Sequence, residues 1–138
     1  MYSEFKSEEK LFRAIYPPEV VEMFWRKDGG VSSAAFADPN GLSVEREGDR
    51  DTDHAVNSMK SKFIGRGIYI RVKNCTEIGA VVRYLPSKSS RYHSEIHGSK
   101  KVKLLSKTQR SHLSRKRASI IRSCGQCPAM NGTRAFLS

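Results

Sequence analysis

Apolar and polar residues alternate in several short segments of the chain. A period of two residues is typical of β-strands that bury one face. This pattern predicts strands at residues 10–16, 42–46, 68–73, 80–86 and 92–98. Residues 119–121 are predicted to add a last short strand. Proline or glycine closes three of these segments, as expected where a chain leaves a sheet.

The segment VSSAAFA, residues 31–37, is rich in small residues. It is compatible with a strand or with a closely packed segment of small side chains. The sequence DPNG follows it and suits a reverse turn, because proline presets φ and glycine tolerates a positive φ. Since the predicted strand 42–46 comes next, we expect a hairpin over residues 31–46.

Three segments have the capping residues or the apolar spacing of helices. The first, residues 18–26, begins at a proline, which suits the first helical turn. It would turn these apolar side chains inward: Val20, Val21, Phe24 and Trp25. The second, residues 53–63, follows three N-cap candidates at positions 51–53. The third, residues 106–118, opens with a capping box formed by Ser106 and Gln109.

Strands and helices are therefore intermixed, and short connections favour antiparallel pairing. We predict a single α+β domain over residues 1–121, with a mainly antiparallel sheet and two or three helices. Residues 122–138 have no period and are predicted to form a flexible tail. No apolar run reaches the roughly 20 residues that span a bilayer. The polar N-terminus lacks the apolar stretch of a signal peptide, so we expect a cytoplasmic protein.

Charge is distributed unevenly along the chain. Residues 1–99 contain all 14 acidic residues and 15 basic ones, whereas residues 100–138 contain ten basic residues and no acidic one. The C-terminal quarter is thus a polycation that would favour a polyanionic partner, because neutralised phosphates release condensed counterions. We predict binding to nucleic acid, RNA or single strands in particular. An acidic protein partner and a merely solvated tail remain alternatives, and no membrane partner is predicted.

The predicted phosphate contacts all lie in the basic segment: Lys100, Lys101, Lys103, Lys107, Arg110, Arg115, Lys116 and Arg117. Such a helix offers mostly Lys and Arg, which suits phosphate contacts better than the reading of base edges. Tyr69 and Arg71 are predicted as secondary contacts, since strand alternation would place them with Lys73 on one face. Aromatic and basic side chains together are typical of single-strand binders.

Residues 93–97 contain a second candidate site. In a strand, His93, Glu95 and His97 would point to one face, with Ser94 and Ile96 on the other. The three groups could form an ordinary polar face, an acid–base pair of His93 and Glu95, or a divalent metal site. Three ligands in line suit a single ion poorly. The corresponding enzyme would be ribonuclease-like or a metal-assisted hydrolase.

Arg13, the serine pair Ser32-Ser33 and Glu95 follow one another in the order found in many NAD-consuming ADP-ribosyltransferases. In those enzymes the arginine holds a phosphate and the glutamate stabilises a cationic transition state. This order offers an alternative catalytic set, with an ordinary strand arginine and turn serines as the competing interpretation. No cofactor is predicted, and a divalent metal or NAD enters with these enzyme hypotheses alone.

The sequence contains three cysteines, which suits a reducing compartment better than a disulfide framework. Cys124 and Cys127 form a C-x-x-C pair, but the second pair that a structural zinc site needs is missing. Cys75 and His112 could complete a ligand set only if the tail folds back. We therefore predict no metal ligands.

Taken together, the segments SSAAF, LSV, HSEIHG and the basic helix that follows resemble a set of small uncharacterised prokaryotic proteins. The resemblance covers residues 11–118. It matches His93 and Glu95 and leaves His97 as a variable position, and it implies no activity, fold or cofactor.

Overall fold

The computed structural model describes residues 4–63 and 65–121, and for Lys116 and Arg117 it describes the backbone alone. The predicted flexible tail, residues 122–138 with Cys124 and Cys127, lies outside the described residues. The described chain is an α+β fold built on one sheet, which confirms the predicted fold class.

The sheet has six strands, and every neighbouring pair is antiparallel. The strands are β1 (Lys10–Ile15), β2 (Leu42–Arg46), β3 (Arg66–Arg71), β4 (Val81–Tyr84), β5 (His93–His97) and β6 (Ser119–Ile120). Their order across the sheet is β4-β5-β2-β1-β3-β6. The two strands at the edges are therefore β4 and the very short β6.

Three α-helices accompany the sheet in the described residues: α1 (Thr52–Lys62), α2 (Val72–Thr76) and α3 (Lys107–His112). Asp51 caps α1 and accepts the backbone N–H of His54, as predicted. Ser106 and Gln109 form the predicted capping box of α3. A π-helical turn, Leu113–Arg117, continues α3, so the predicted helix over residues 106–118 is confirmed with a widened last turn.

The two faces of the sheet bury different clusters. The face that carries Leu11, Leu42 and Ile96 forms the main core, and we call it the core face. The opposite face carries Phe12, which packs against Ala55 and Met59 of α1, and we call it the α1 face. Adjacent strand residues alternate between these faces, so β5 places Ser94 and Ile96 on the core face and its odd-numbered residues on the other.

A bidentate ion pair is buried beside the first two strands. Nε and Nη2 of Arg46 donate to the two carboxylate oxygens of Glu9 at 2.7 and 2.8 Å. The rings of Phe5 and Tyr84 lie against the guanidinium at 4.1 and 4.9 Å. Glu9 also accepts the backbone N–H of Gly48, so this pair joins the entry of β1 to the exit of β2.

The predicted helix over residues 18–26 is wrong. Only Glu22–Phe24 form a helical turn, of the 3-10 type, and Val20 is 62% exposed. The β-branched Val20 and Val21 are poor helix formers. Trp25 is buried but extended, since its backbone forms an antiparallel bridge with Val31. Its ring N–H donates to the carbonyl of Tyr16 at 2.7 Å.

The predicted hairpin over residues 31–46 is also wrong, since residues Ser33–Phe36 form a second 3-10 turn. The alternative, a packed segment of small side chains, is correct because Ala35 and Phe36 are buried in the core. The DPNG turn does form, with Gly41 at a φ of 97°. The strand predicted at 68–73 stops at Arg71, where α2 begins, so Lys73 does not share a strand face with Tyr69.

Candidate functional site

Residues 100–115, which we call the cationic segment, connect β5 to the π-helical turn and are anchored to the core face. Leu105 and Leu113 are 1% and 0% exposed and belong to the main core. The side-chain amide of Gln109 donates to the carbonyls of Gly98 and Ile78 at 2.9 and 3.1 Å. The cationic segment is therefore firmly attached to the core.

The lysines and arginines of this segment form no ion pairs in the described residues, although Glu77 lies 3.4 Å from His112 of α3. No side chain of Lys100, Lys101, Lys103, Lys107, Arg110 or Arg115 contacts a carboxylate within the described residues, and all but the half-buried Arg110 are exposed. Many cations of the preceding chain do reach one. Lys73, for example, lies 2.8 Å from Glu8. Since no acidic residue follows Glu95, the positive charge of this segment is uncompensated along the chain as well.

One face of α3 and its π-helical extension forms a shallow depression of about 460 Å³. It is lined by Lys107, Thr108, Ser111, His112 and Arg115. Two cations thus lie at its ends, and two hydroxyl groups lie between them. Cations and hydroxyls are the side-chain groups that proteins use to contact phosphate oxygens.

Tyr69 and Arg71, the predicted secondary contacts, lie away from this depression. Tyr69 packs against Phe12 on the α1 face, with ring centroids 6.2 Å apart. Its ring also lies 4.9 Å from the Lys10 ammonium. Arg71 pairs with Glu8 at 3.6 Å. The structure therefore does not bring Tyr69 and Arg71 together with the cationic segment. Of Lys116 and Arg117, it describes only the backbone.

His93, Glu95 and His97 lie on one face of β5, as predicted, and they contact one another. Nε2 of His97 is 2.9 Å from Oε1 of Glu95, and Nε2 of His93 is 3.5 Å from Oε2. The contact with His97, followed by that with His93, lowers the pKa of Glu95 below its ordinary value, while burial opposes the shift. His97 is 6% exposed and the side chain of His93 is 29% exposed, so His93 is the imidazole that a ligand can reach.

A cavity of about 420 Å³ opens on the α1 face beside His93. Its apolar wall consists of Phe12, Ala14, Met59 and Phe63, and its polar groups include Arg13, Lys62, Ser90 and His93. The cavity exists because β1 and β2 pair only at Leu11 and Phe12 and then separate. The guanidinium of Arg13 fills part of this gap and donates to the carbonyl of Ser43 at 2.8 Å.

The structure brings only part of the predicted catalytic set together. Arg13 lines the same cavity as His93, whose neighbour on β5 is Glu95. Ser32 does not line that cavity. It precedes a 3-10 turn instead of lying on a strand, and its hydroxyl donates to the carbonyl of Met23 at 2.5 Å.

The sequence did not identify Lys62, Glu45 or the loop of residues 87–90, which we call the serine loop, as parts of a site. The run SKSS, residues 87–90, contains the hydroxyls, but only the fold shows that this loop faces the end of α1. Glu45 stands opposite His93 in the β2–β5 register, and that pairing is invisible without the strand order.

Cys75 is a buried residue of the core, where burial raises the pKa of its thiol to about 12. Within residues 4–63 and 65–121, no group of three His, Cys, Asp or Glu side chains is arranged to hold a metal ion. No helix in the same part of the chain has both the length and the apolar character to cross a membrane. No family model, curated protein or solved structure matches this chain.

Proposed function

We propose that the protein binds single-stranded nucleic acid, RNA in particular, through phosphate contacts from the cationic segment. The observation that carries the proposal is that six described Lys and Arg side chains in residues 100–115 have no carboxylate partner in the described chain. Cations that are not already paired keep their full attraction for phosphates.

The helix has no free side-chain amide for reading bases. Gln109 is the only Asn or Gln of α3, and its amide group donates to two carbonyls while its oxygen accepts the backbone N–H of Ser106. Specific recognition of a base edge typically uses Arg, Asn or Gln in a bidentate contact. With Gln109 committed to anchoring, we expect phosphate contacts and weak sequence preference.

Anchoring also means that the cationic segment keeps its shape in the free protein. Leu105, Leu113 and Gln109 hold it against the core face. Binding then costs less ordering entropy than it would for a disordered basic segment. The proposal does not include Tyr69 and Arg71, because their side chains pack on the opposite face against Phe12 and Glu8.

The test is the salt dependence of binding to a fluorescently labelled single-stranded RNA, measured by anisotropy. The double variant Lys107→Gln/Arg115→Gln removes two phosphate contacts. It should lower the slope of log K against log salt by roughly 1.4. A matched control, Lys27→Gln/Lys60→Gln, removes the same charge from two exposed residues elsewhere and should leave the slope unchanged.

Affinity that does not change with salt would overturn the proposal, as would equal effects of the two double variants. Binding to polyglutamate but not to RNA at the same ionic strength would overturn it in favour of an acidic protein partner.

A second candidate is a ribonuclease-like enzyme in which His93 transfers protons and Glu95 orients its ring. The supporting observation is that Glu95 contacts His93, which borders a cavity, while the buried His97 holds the same carboxylate. A general acid–base group of this kind contributes typically 10²–10⁴-fold in rate. RNA cleavage that Glu95→Gln abolishes while RNA binding persists would support the enzyme, and binding without cleavage in both proteins would exclude it.

A further inference from the structure

The cavity on the α1 face is lined by a half-buried cation, Arg13, that lacks part of its hydrogen bonding. Nε of Arg13 is inaccessible to solvent and has no hydrogen-bond partner among the described residues, while Nη1 donates to Ser43. No carboxylate of the described chain forms an ion pair with this guanidinium, although the charge of Asp38 acts on it from farther away. A half-buried cation without an ion-pair partner attracts an anion that enters the cavity.

An acceptor in the same cavity is also incompletely bonded. Oε1 of Glu45 is buried and receives no hydrogen bond from the described residues, although Nη1 of Arg50 lies 3.6 Å away. Lys62 contacts the other oxygen at 3.3 Å. The two cations offset the charge of Glu45, so it need not repel an anion at Arg13. Glu45 lines the cavity, and its carboxylate can accept a hydrogen bond from a ligand that binds beside Lys62.

The serine loop supplies a further donor at the rim. The hydroxyl oxygen of Ser90 accepts the backbone N–H of Tyr92 at 3.1 Å, which leaves its own proton available to a ligand. Ser87 and Ser89 line the cavity beside it. Nη2 of the Arg13 fork, Lys62 and Ser90 provide several donors around one cavity, which suits a phosphate group better than a carboxylate because phosphate presents three terminal oxygens.

The apolar wall defines the rest of the ligand. Phe12, Ala14, Met59 and Phe63 present carbon surface, and the volume of about 420 Å³ falls in the usual range for small-molecule sites. We propose that this cavity binds a mononucleotide-sized organic phosphate: the phosphate contacts Arg13, a hydroxyl or amino group donates to Glu45, and a planar ring packs on the apolar wall. This site is separate from the cationic segment, so it stands whether or not the protein binds RNA.

Isothermal titration of the full chain with the four ribonucleoside 5′-monophosphates tests the proposal, with the four nucleosides and inorganic phosphate as comparisons. At least one monophosphate should bind, and it should bind more than about tenfold tighter than its nucleoside or phosphate alone, since both parts of the ligand contribute. No binding by any monophosphate overturns the proposal. Equal binding of inorganic phosphate overturns the role of the apolar wall.

Variants locate the binding. Arg13→Lys keeps the charge but loses the fork and should weaken binding about tenfold or more. Because Arg13 is half-buried and its substitution could disturb the fold, Lys62→Gln and Ser90→Ala provide a second test that does not touch it, and each should weaken binding. Lys60→Gln, on an exposed position of the same helix, should bind as the unaltered chain does. Unchanged affinity in all three cavity variants would overturn the assignment.

The double variant Lys107→Gln/Arg115→Gln separates the two proposals. It should retain mononucleotide binding while the salt slope of its RNA binding falls by roughly 1.4. If it loses mononucleotide binding as well, the ligand sits on the cationic segment and the cavity assignment is overturned.

Discussion

The carboxylate of Glu95 is held between two imidazole rings, 2.9 Å from His97 and 3.5 Å from His93. Gly41 lies against the side chains of His97 and Glu95. A Cβ at this position would lie 2.7 Å from the ring of His97 and 2.9 Å from Glu95, and the φ of 97° already favours glycine. The turn before β2 therefore approaches the pair closely, and the orientation of Glu95 depends on that turn.

The contacts of Glu95 predict an acid-dependent contribution to stability. Its folded pKa is lowered from the ordinary value of 4.5, so the contribution is present above that pH and is lost as the pH falls through the folded pKa. Glu95→Gln should therefore show a shallower loss of unfolding free energy than the unaltered chain below about pH 4.5. Urea unfolding between pH 7 and pH 3 measures this difference. Glu22→Gln, at an exposed carboxylate, is the control, and an equal change in both variants would contradict the role given to Glu95.

At the scale of elements, the fold affects the proposed binding most through the attachment of α3 and its π-helical turn to the core. Leu113 is fully buried in the main core, and Ser114 beside it donates to the carbonyl of Val31 at 2.6 Å. Arg26 in turn donates to the carbonyl of Ser114 at 2.7 Å. The helix is thus tied to the segment that follows the first 3-10 turn, far away in sequence.

Leu113→Ala tests this attachment. Removing the buried side chain should destabilise the protein by roughly 2–5 kcal/mol, since it loses apolar burial and leaves a cavity. Val102→Ala in the same segment, at a residue that is 56% exposed, should change the stability by less than about 0.5 kcal/mol. Denaturant titration measures both. A small effect of Leu113→Ala would mean that the helix contributes little to the core.

The elements that the sequence predicts correctly are those with a local signal. Residues 10–16, 42–46 and 92–98 alternate and form strands, and the capping box at Ser106 starts α3. The predicted hairpin over residues 31–46 is wrong because small residues pack equally well in a strand and in a 3-10 turn. A long-range contact decides between these two conformations. In this case the hydroxyl of Ser32 donates to the carbonyl of Met23, nine residues earlier in the chain.

The two candidate sites also differ in whether the sequence contains a local signal for them. The cationic segment is contiguous in sequence, so its residues can be identified from charge alone. The cavity requires the separation of β1 from β2 and the approach of residues 87–90 to α1, neither of which has a sequence signal. Arg13 and His93 were identified individually, but nothing in the sequence shows that they line one cavity with Lys62.

On the scale of the whole molecule, the two candidate sites lie on opposite sides of one sheet. The cationic segment packs on the core face through Leu105 and Leu113, and the cavity opens on the α1 face beside Met59. A nucleic acid on the first site need not obstruct a small ligand in the second.

The short strand β6 also protects part of the edge of the sheet from pairing with other chains. It covers part of the outer edge of β3, pairing Ile120 with Ile68 and Ser119 with Tyr69, and the N–H of Ile121 reaches the carbonyl of Gly67. Without it, an apolar strand would present unpaired backbone groups to other copies of the chain, a common start of aggregation.

A chain that ends at residue 118 should therefore self-associate as its concentration rises, as measured by light scattering, whereas a chain that ends at residue 121 should remain dispersed. Equal behaviour of the two would show that β6 gives no such protection. If the two chains differ as expected, a strand of two residues separates a protein that stays dispersed from one that self-associates.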